Sequence, residues 1–171
     1  MLPYLTYHPA FDSYHCAYRI LLLIKQVKMS KVEVDRMRIW DFYFVFPQEV
    51  KHITIPRDLW SFKKVFENNT NPYENLANPQ RIFDRMKPFQ LAAFNYLAAY
   101  GFIESKQLAK GIIERTDKTI PEELLVKMNK LSDQQNHVIG LISSPLNDIS
   151  LYGAGGLKDR TKLLDFKYDA R

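Results

Sequence analysis

Apolar side chains recur along the chain in three aromatic-rich blocks, Phe11 to Ile24, Ile39 to Phe46 and Phe89 to Ile103. In the first, Phe11, Tyr14, Tyr18, Leu21 and Leu22 fall at helical spacing, Pro9 suits a first turn, and Lys25 and Lys28 stand near the end. This predicts a buried helix over residues 9–27. In the second, Ile39, Phe42, Tyr43 and Phe46 share a helical face within 33–46, and Pro47 stops the helix. A third, short helix follows Thr54 as cap and Pro56 at an early position, with Leu59, Phe62 and Phe66 as its apolar stripe. Residues 68–80, rich in Asn and Pro and without periodicity, read as an exposed connection.

Beyond it, Phe89, Ala93, Tyr96, Leu97 and Tyr100 again follow helical spacing, with Pro88 placed to open the helix and Gly101 to cap it in a left-handed conformation. A short helix at Ser105 to Lys110 and a strand at Ile112 and Ile113 come next. Pro121 then opens a helical segment reaching about Leu141, with Ser132 to Asn136 polar enough to divide it and Ser143, Ser144 and Pro145 marking its end. Leu164, Phe166 and Tyr168 alternate with Asp165, Lys167 and Asp169, the period of a closing strand. The expected fold is mainly α with short strands (α+β). It is a compact helical domain whose second half, 88–141, has the element order of a winged helix.

With 171 residues, 46% hydrophobic and 13% aromatic, the chain can bury one ordinary core, or two very small ones sharing an interface. A single domain over 1–171 is expected, with 1–67 and 81–171 as candidate halves joined by 68–80. Cys16 is the lone cysteine, which excludes an internal disulfide and zinc sites built on cysteine pairs, and fits a reducing cytoplasm. The longest apolar run, Ala17 to Ile24, contains Arg19 and falls far short of the roughly 20 residues that span a bilayer. Residues 1–10 lack the pattern of a signal peptide, so a cytoplasmic protein is expected.

Candidate chemistry changes this picture little. His8, His15 and Cys16 invite a metal reading, but His15 and Cys16 point roughly 100° apart on a helix, and His52 and His137 supply no paired motif. Asp12 and His15 form an i, i+3 carboxylate and imidazole pair without a nucleophile, and capping is the simpler role for Asp12. Gly153 to Gly156, followed by Leu157 and Lys158, lacks both the spacing and the preceding strand of a phosphate-binding loop, so a turn is expected. No catalytic residue, cofactor or metal is assigned.

The net charge of +5 comes from 24 basic and 19 acidic residues mixed along the chain. Arg85 and Lys87, then Lys106, Lys110, Arg115 and Lys118, and finally Lys158, Arg160 and Lys162 are candidate contacts to DNA or to an acidic partner. Glu104, Glu114, Asp117, Glu122 and Glu123 interrupt the same region, as in an ordinary solvated face. Interface anchors tend to be aromatic or Arg, which makes Trp40, Trp60, Tyr73 and Tyr152 candidate protein contacts.

One resemblance extends over most of the chain. Tyr7-His8-Pro9-Ala10-Phe11-Asp12, Tyr14-His15-Cys16 and Arg19-Ile20-Leu21 are followed by Arg36-Met37-Arg38-Ile39, Asp41-Phe42-Tyr43 and Phe46-Pro47. Arg85-Met86-Lys87-Pro88, Leu97-Ala98-Ala99-Tyr100-Gly101, Gly156-Leu157-Lys158, Arg160-Thr161 and Phe166-Lys167-Tyr168-Asp169 complete it. The pattern resembles the small middle components of ABC three-component systems of bacterial conflict loci. The resemblance implies a non-catalytic adaptor that binds an SMC-like ABC ATPase and an effector, often a nuclease, as in Lamassu-type defence against phages and plasmids. The alternatives are a stand-alone winged-helix DNA-binding regulator and a small enzyme using Asp12 and His15.

Overall fold

Helix α1 (Ser13–Val27) starts where Asp12 caps it, its Oδ1 accepting the Tyr14 and His15 backbone N–H groups at 2.9 Å each. Pro9 belongs not to α1 but to a separate 3-10 turn, Pro9–Phe11, so the helix begins later than the periodicity predicts. In this computed structural model, which describes residues 7–67, 75–167 and 169, α1 is followed by strand β1 (Lys31–Glu33) and helix α2 (Val34–Val45). Pro47 opens a 3-10 turn, Pro47–His52, and ends α2 as predicted. Helix α3 (Trp60–Glu67) follows.

Helix α4 spans Pro79–Ala99, nine residues longer at its start than Pro88 as an opener allows. Asn78 caps it through the Arg81 N–H at 3.0 Å, and Pro79 occupies the first turn. Pro88 therefore sits inside the helix. Its missing N–H is tolerated because Phe83, Met86, Gln90, Ala93, Phe94 and Leu97 bury one continuous face across it. Gly101 takes the expected left-handed position after α4, with φ of 77°.

The remaining elements are α5 (Ser105–Leu108), β2 (Ile112–Glu114), α6 (Glu122–Met128), α7 (Asp133–Ser143) and α8 (Leu157–Thr161). The predicted division between α6 and α7 exists. Ser132 and Gln135 close it with a reciprocal capping box, at 2.9 and 3.2 Å. The predicted C-terminal strand does not form within the described residues, since a bend and a turn after α8 occupy that region and residue 168 lies outside them. No helix among the described residues is long and apolar enough to cross a membrane.

β2 pairs antiparallel with β1, matching Val32 to Ile113, and Ile103 forms an isolated bridge with Arg115. The strand that a winged helix would place in a following hairpin is thus paired with the first half of the chain. α4 also packs on α1, and one core collects residues from both halves, including Ile20, Trp40, Phe42, Phe83, Phe94, Met128 and Leu141.

α2 is the centre of this core. Every residue from Arg36 to Phe44 is buried, the behaviour of a helix enclosed on all sides rather than a surface helix with one apolar stripe. Its polar residues form the connections. Asp41 accepts from Arg19 Nε at 2.6 Å and Nη2 at 3.2 Å on α1, and from Gln90 Nε2 at 3.0 Å on α4. Arg36 donates to Glu33 at 2.8 Å and to the carbonyls of Leu146 and Ile149 at 3.2 and 2.9 Å. Arg38 donates to Gln90 at 3.0 Å and Asp35 at 3.1 Å, and lies 4.5 Å over the Phe83 ring. Charged groups buried this way are held by partners on several elements.

Candidate interaction surfaces

Of the groups with reactive potential, Cys16 is packed inside the fold and Asp12 is used as a helix cap at the surface. Cys16 is buried, and its Sγ lies 3.6 Å from Asp41 Oδ2; burial first, and the Asp41 charge second, push its thiol well above the ordinary range. Asp12 caps α1 and accepts the Tyr7 hydroxyl at 3.0 Å; chiefly the His15 backbone N–H holds its carboxyl below the usual value. The hydrogen bond from His15 to Asp12 comes from the backbone and not from the imidazole. Among the described residues, no group of three or more His, Cys, Asp or Glu side chains is arranged to hold a metal ion.

The glycine segment is a structural turn. Gly155 N–H donates to Asp159 at 2.8 Å, Arg160 Nε donates to the Gly155 carbonyl at 2.6 Å, and Gly156 precedes α8. A Cβ at Gly156 would stand 2.3 Å from the Tyr152 carbonyl oxygen, so close backbone approach explains this glycine.

The predicted basic contacts fall into three separate places. Arg85 and Lys87 are exposed on α4, with Arg85 lying 4.6 Å over the Phe11 ring. Lys106, Lys110, Arg115 and Lys118 are exposed around α5 and β2, and Lys118 donates to the Tyr100 carbonyl. Near α8 the expectation needs correction. Lys158 is buried, paired with Asp169 at 2.8 Å and Asp35 at 3.3 Å, because its ammonium ties the chain end to α2. Arg160 spends its guanidinium on the Gly155 and Thr54 carbonyls, while Lys162 is exposed and paired with Asp159 at 2.7 Å.

Of the four aromatic candidates, Trp40 is fully buried at the centre of α2 and cannot meet a partner. Tyr73 lies outside the described residues. Trp60 and Tyr152 are 54% and 50% exposed. Trp60 borders a cavity of about 430 Å³ with Thr54, Ile55, Lys63, Lys64 and Glu67, and Phe62 and Val65 are further exposed apolar side chains on α3.

A second surface was not assigned from sequence. Tyr14, placed on the buried stripe of α1 by its spacing, is 70% exposed, and Tyr100 after α4 is 63% exposed. The Tyr14 and Tyr96 rings stack at 5.2 Å and 5° between planes, and Tyr7 meets His15 edge-on at 5.9 Å. The Tyr14 phenol is raised above its ordinary value, chiefly by the charge of Tyr96 and the hydrogen bond between them. A groove of about 360 Å³, lined by Tyr14, His15, Tyr18, Leu124 and Lys127, runs beside the rings. A second of about 250 Å³ shares His15 and Tyr18 with it. The signal in the sequence is the residue type: Cys16, Ile20, Leu23 and Ile24 supply a buried stripe without aromatic rings, leaving the amphipathic tyrosines one step off it.

No curated protein and no solved structure matches the chain. A family model does, over residues 5–169, and its description is ABC-three component (ABC-3C) system Middle Component 5. That span takes in the capped α1, the enclosed α2 and the α8 turn alike, so this chain belongs to the family of ABC three-component system middle components, number five.

Proposed function

We propose that the protein is a non-catalytic cytoplasmic adaptor, joining an SMC-like ABC ATPase to an effector, a nuclease, in a Lamassu-type anti-phage or anti-plasmid complex. The observation that carries this reading is the exposed tyrosine surface of α1 and α4 in a chain whose family is a middle component of a multi-component system. Tyr and Trp supply large, stiff contact area with a polar tip, which suits a surface that must be solvated alone and dry when docked. The Trp60 surface on α3 is a second one, and an adaptor requires two.

The burial of Cys16 and the engagement of Asp12 in capping support binding over chemistry. A DNA-binding regulator draws support from the exposed Lys106, Lys110, Arg115 and Lys118, but Glu104, Glu122 and Glu123 are exposed beside them in the chain. Such a regulator would bind DNA alone with steep salt dependence.

The test is a pair of charge-bearing substitutions, Tyr14→Glu with Tyr100→Glu, in a chain co-expressed with the products of neighbouring genes. Recovery of a partner is expected to fall at least tenfold, about 1.4 kcal/mol or more. Thermal stability should move by only a few degrees, because both side chains are mostly exposed. Full recovery of every partner would remove this surface from the interface.

A further inference from the structure

Glu49 departs from the rule that the other buried charges obey. Arg19, Arg36, Asp41 and Lys158 each have an oppositely charged partner within hydrogen-bond distance. Glu49, in the 3-10 turn that follows α2, has a side chain only 2% exposed. Its Oε1 accepts the Leu76 backbone N–H at 3.1 Å, while its Oε2 is buried with no hydrogen-bond partner among the described residues. Among the described residues the nearest basic group is His52, whose Nε2 stands 4.0 Å away and whose side chain is 62% exposed. A buried acceptor left this way carries a desolvation cost that a donor would relieve.

Glu49 also lines a cavity of about 300 Å³ between the end of α2, the start of α4 and the end of α8. Phe42 and Tyr43 also line it, and aromatic rings near a carboxylate are surroundings that favour a cation. Two other polar groups of the lining are already engaged. Asn78 caps α4, and Lys162 on the rim is paired with Asp159 at 2.7 Å. The unmet requirement is a positively charged hydrogen-bond donor.

We propose that this cavity receives a cationic side chain, the guanidinium or ammonium of an Arg or Lys, from a partner protein, with Glu49 as its carboxylate anchor. The occupant is assigned by charge complementarity, and its being a protein rests on the adaptor reading. The donor completes Oε2 while the stem lies along Phe42 and Tyr43.

The full-length chain, isotope-labelled, is titrated with L-arginine amide and with L-citrulline amide, its neutral isostere, and followed by NMR at the Leu76 amide and the His52 ring. Saturable shifts with arginine amide, and at least tenfold weaker binding of citrulline amide, are expected. Glu49→Gln, which keeps an acceptor for Leu76, should weaken arginine amide at least tenfold and lower recovery of the co-expressed partner by a similar factor. Should that variant fail to fold, Lys162→Gln removes a positive charge from the exposed rim and should tighten arginine amide binding. Equal shifts from the two amides, no saturable shift, or no tightening in Lys162→Gln would overturn the proposal. A Glu49→Gln chain that loses arginine amide yet recovers the partner in full would overturn the protein occupant. Partner capture without arginine amide binding removes this site and leaves the adaptor reading standing, whereas a chain that captures no partner fails the adaptor reading itself.

Discussion

Asp41→Ala is expected to lower the free energy of unfolding by about 3–5 kcal/mol, because it strands the buried Arg19 guanidinium without a carboxylate. A domain of ordinary stability holds only about 5–15 kcal/mol in total, so the variant should be partly unfolded near physiological temperature. Three donors converge on this one side chain: Arg19 through two nitrogens, Gln90 through its amide, and the Cys16 thiol at 3.6 Å. Removing the carboxylate takes an acceptor from each of them at a buried site. The check is urea unfolding followed by tryptophan fluorescence, comparing Asp41→Ala with the double variant Arg19→Met, Asp41→Leu. The double variant should recover much of the loss, since an apolar pair does not strand a charge. A loss below about 1 kcal/mol in the single variant, the range of exposed pairs, would contradict the assignment of a buried, paired network.

Trp40→Ala should cost a similar amount, about 3–5 kcal/mol, through the cavity it opens in the middle of α2. Trp40 has no exposed surface and stands in the run from Arg36 to Phe44 that the rest of the fold encloses. The Arg36 guanidinium lies 5.9 Å from its ring centroid, so the substitution also removes a stacking partner from a buried cation. Its Nε1 has no hydrogen-bond partner, which means that Trp40→Phe gives up no hydrogen bond and should cost much less than the alanine. Trp60→Ala, at a 54% exposed position, should stay within about 1 kcal/mol by the same denaturation measurement. If Trp40→Ala left stability unchanged, the enclosed position of α2 would be wrong.

Much of the helical framework was legible in the sequence because its signals are local. α2 ends at Pro47 as periodicity and proline chemistry require, Gly101 takes its left-handed position, and polar Ser132 marks the division of α6 from α7. What escaped prediction depends on distant residues. β1 is three residues long, and nothing in Lys31–Glu33 announces a strand until Ile112–Glu114 pairs with it. Pro88 looked like a helix start because proline favours first turns, yet the capped start is ten residues earlier, at Asn78.

The candidate surfaces were less legible still, since exposure is a tertiary property. Trp40 and Trp60 are the same residue type, and only packing separates a core ring from a surface one. Lys158 reads as a candidate surface contact beside Arg160 and Lys162 until Asp35 is seen to lie 3.3 Å away. Tyr14 fits the helical spacing of the α1 core, but the fully buried Cys16 and Ile20 occupy the inward side. Glu49 carried no sequence signal at all. What sets it apart is a buried carboxylate that no basic group among the described residues approaches closer than 4.0 Å, a property of the folded chain alone.

The most direct test of the adaptor reading is the mass of the intact complex formed when the tagged chain is co-expressed with its chromosomal neighbours and purified at moderate salt. A hetero-oligomer that contains a large ABC ATPase together with this 20.1 kDa chain is expected. A well-folded chain recovered alone at 20.1 kDa, with no partner bound, would contradict it and bring salt-dependent DNA binding to the front.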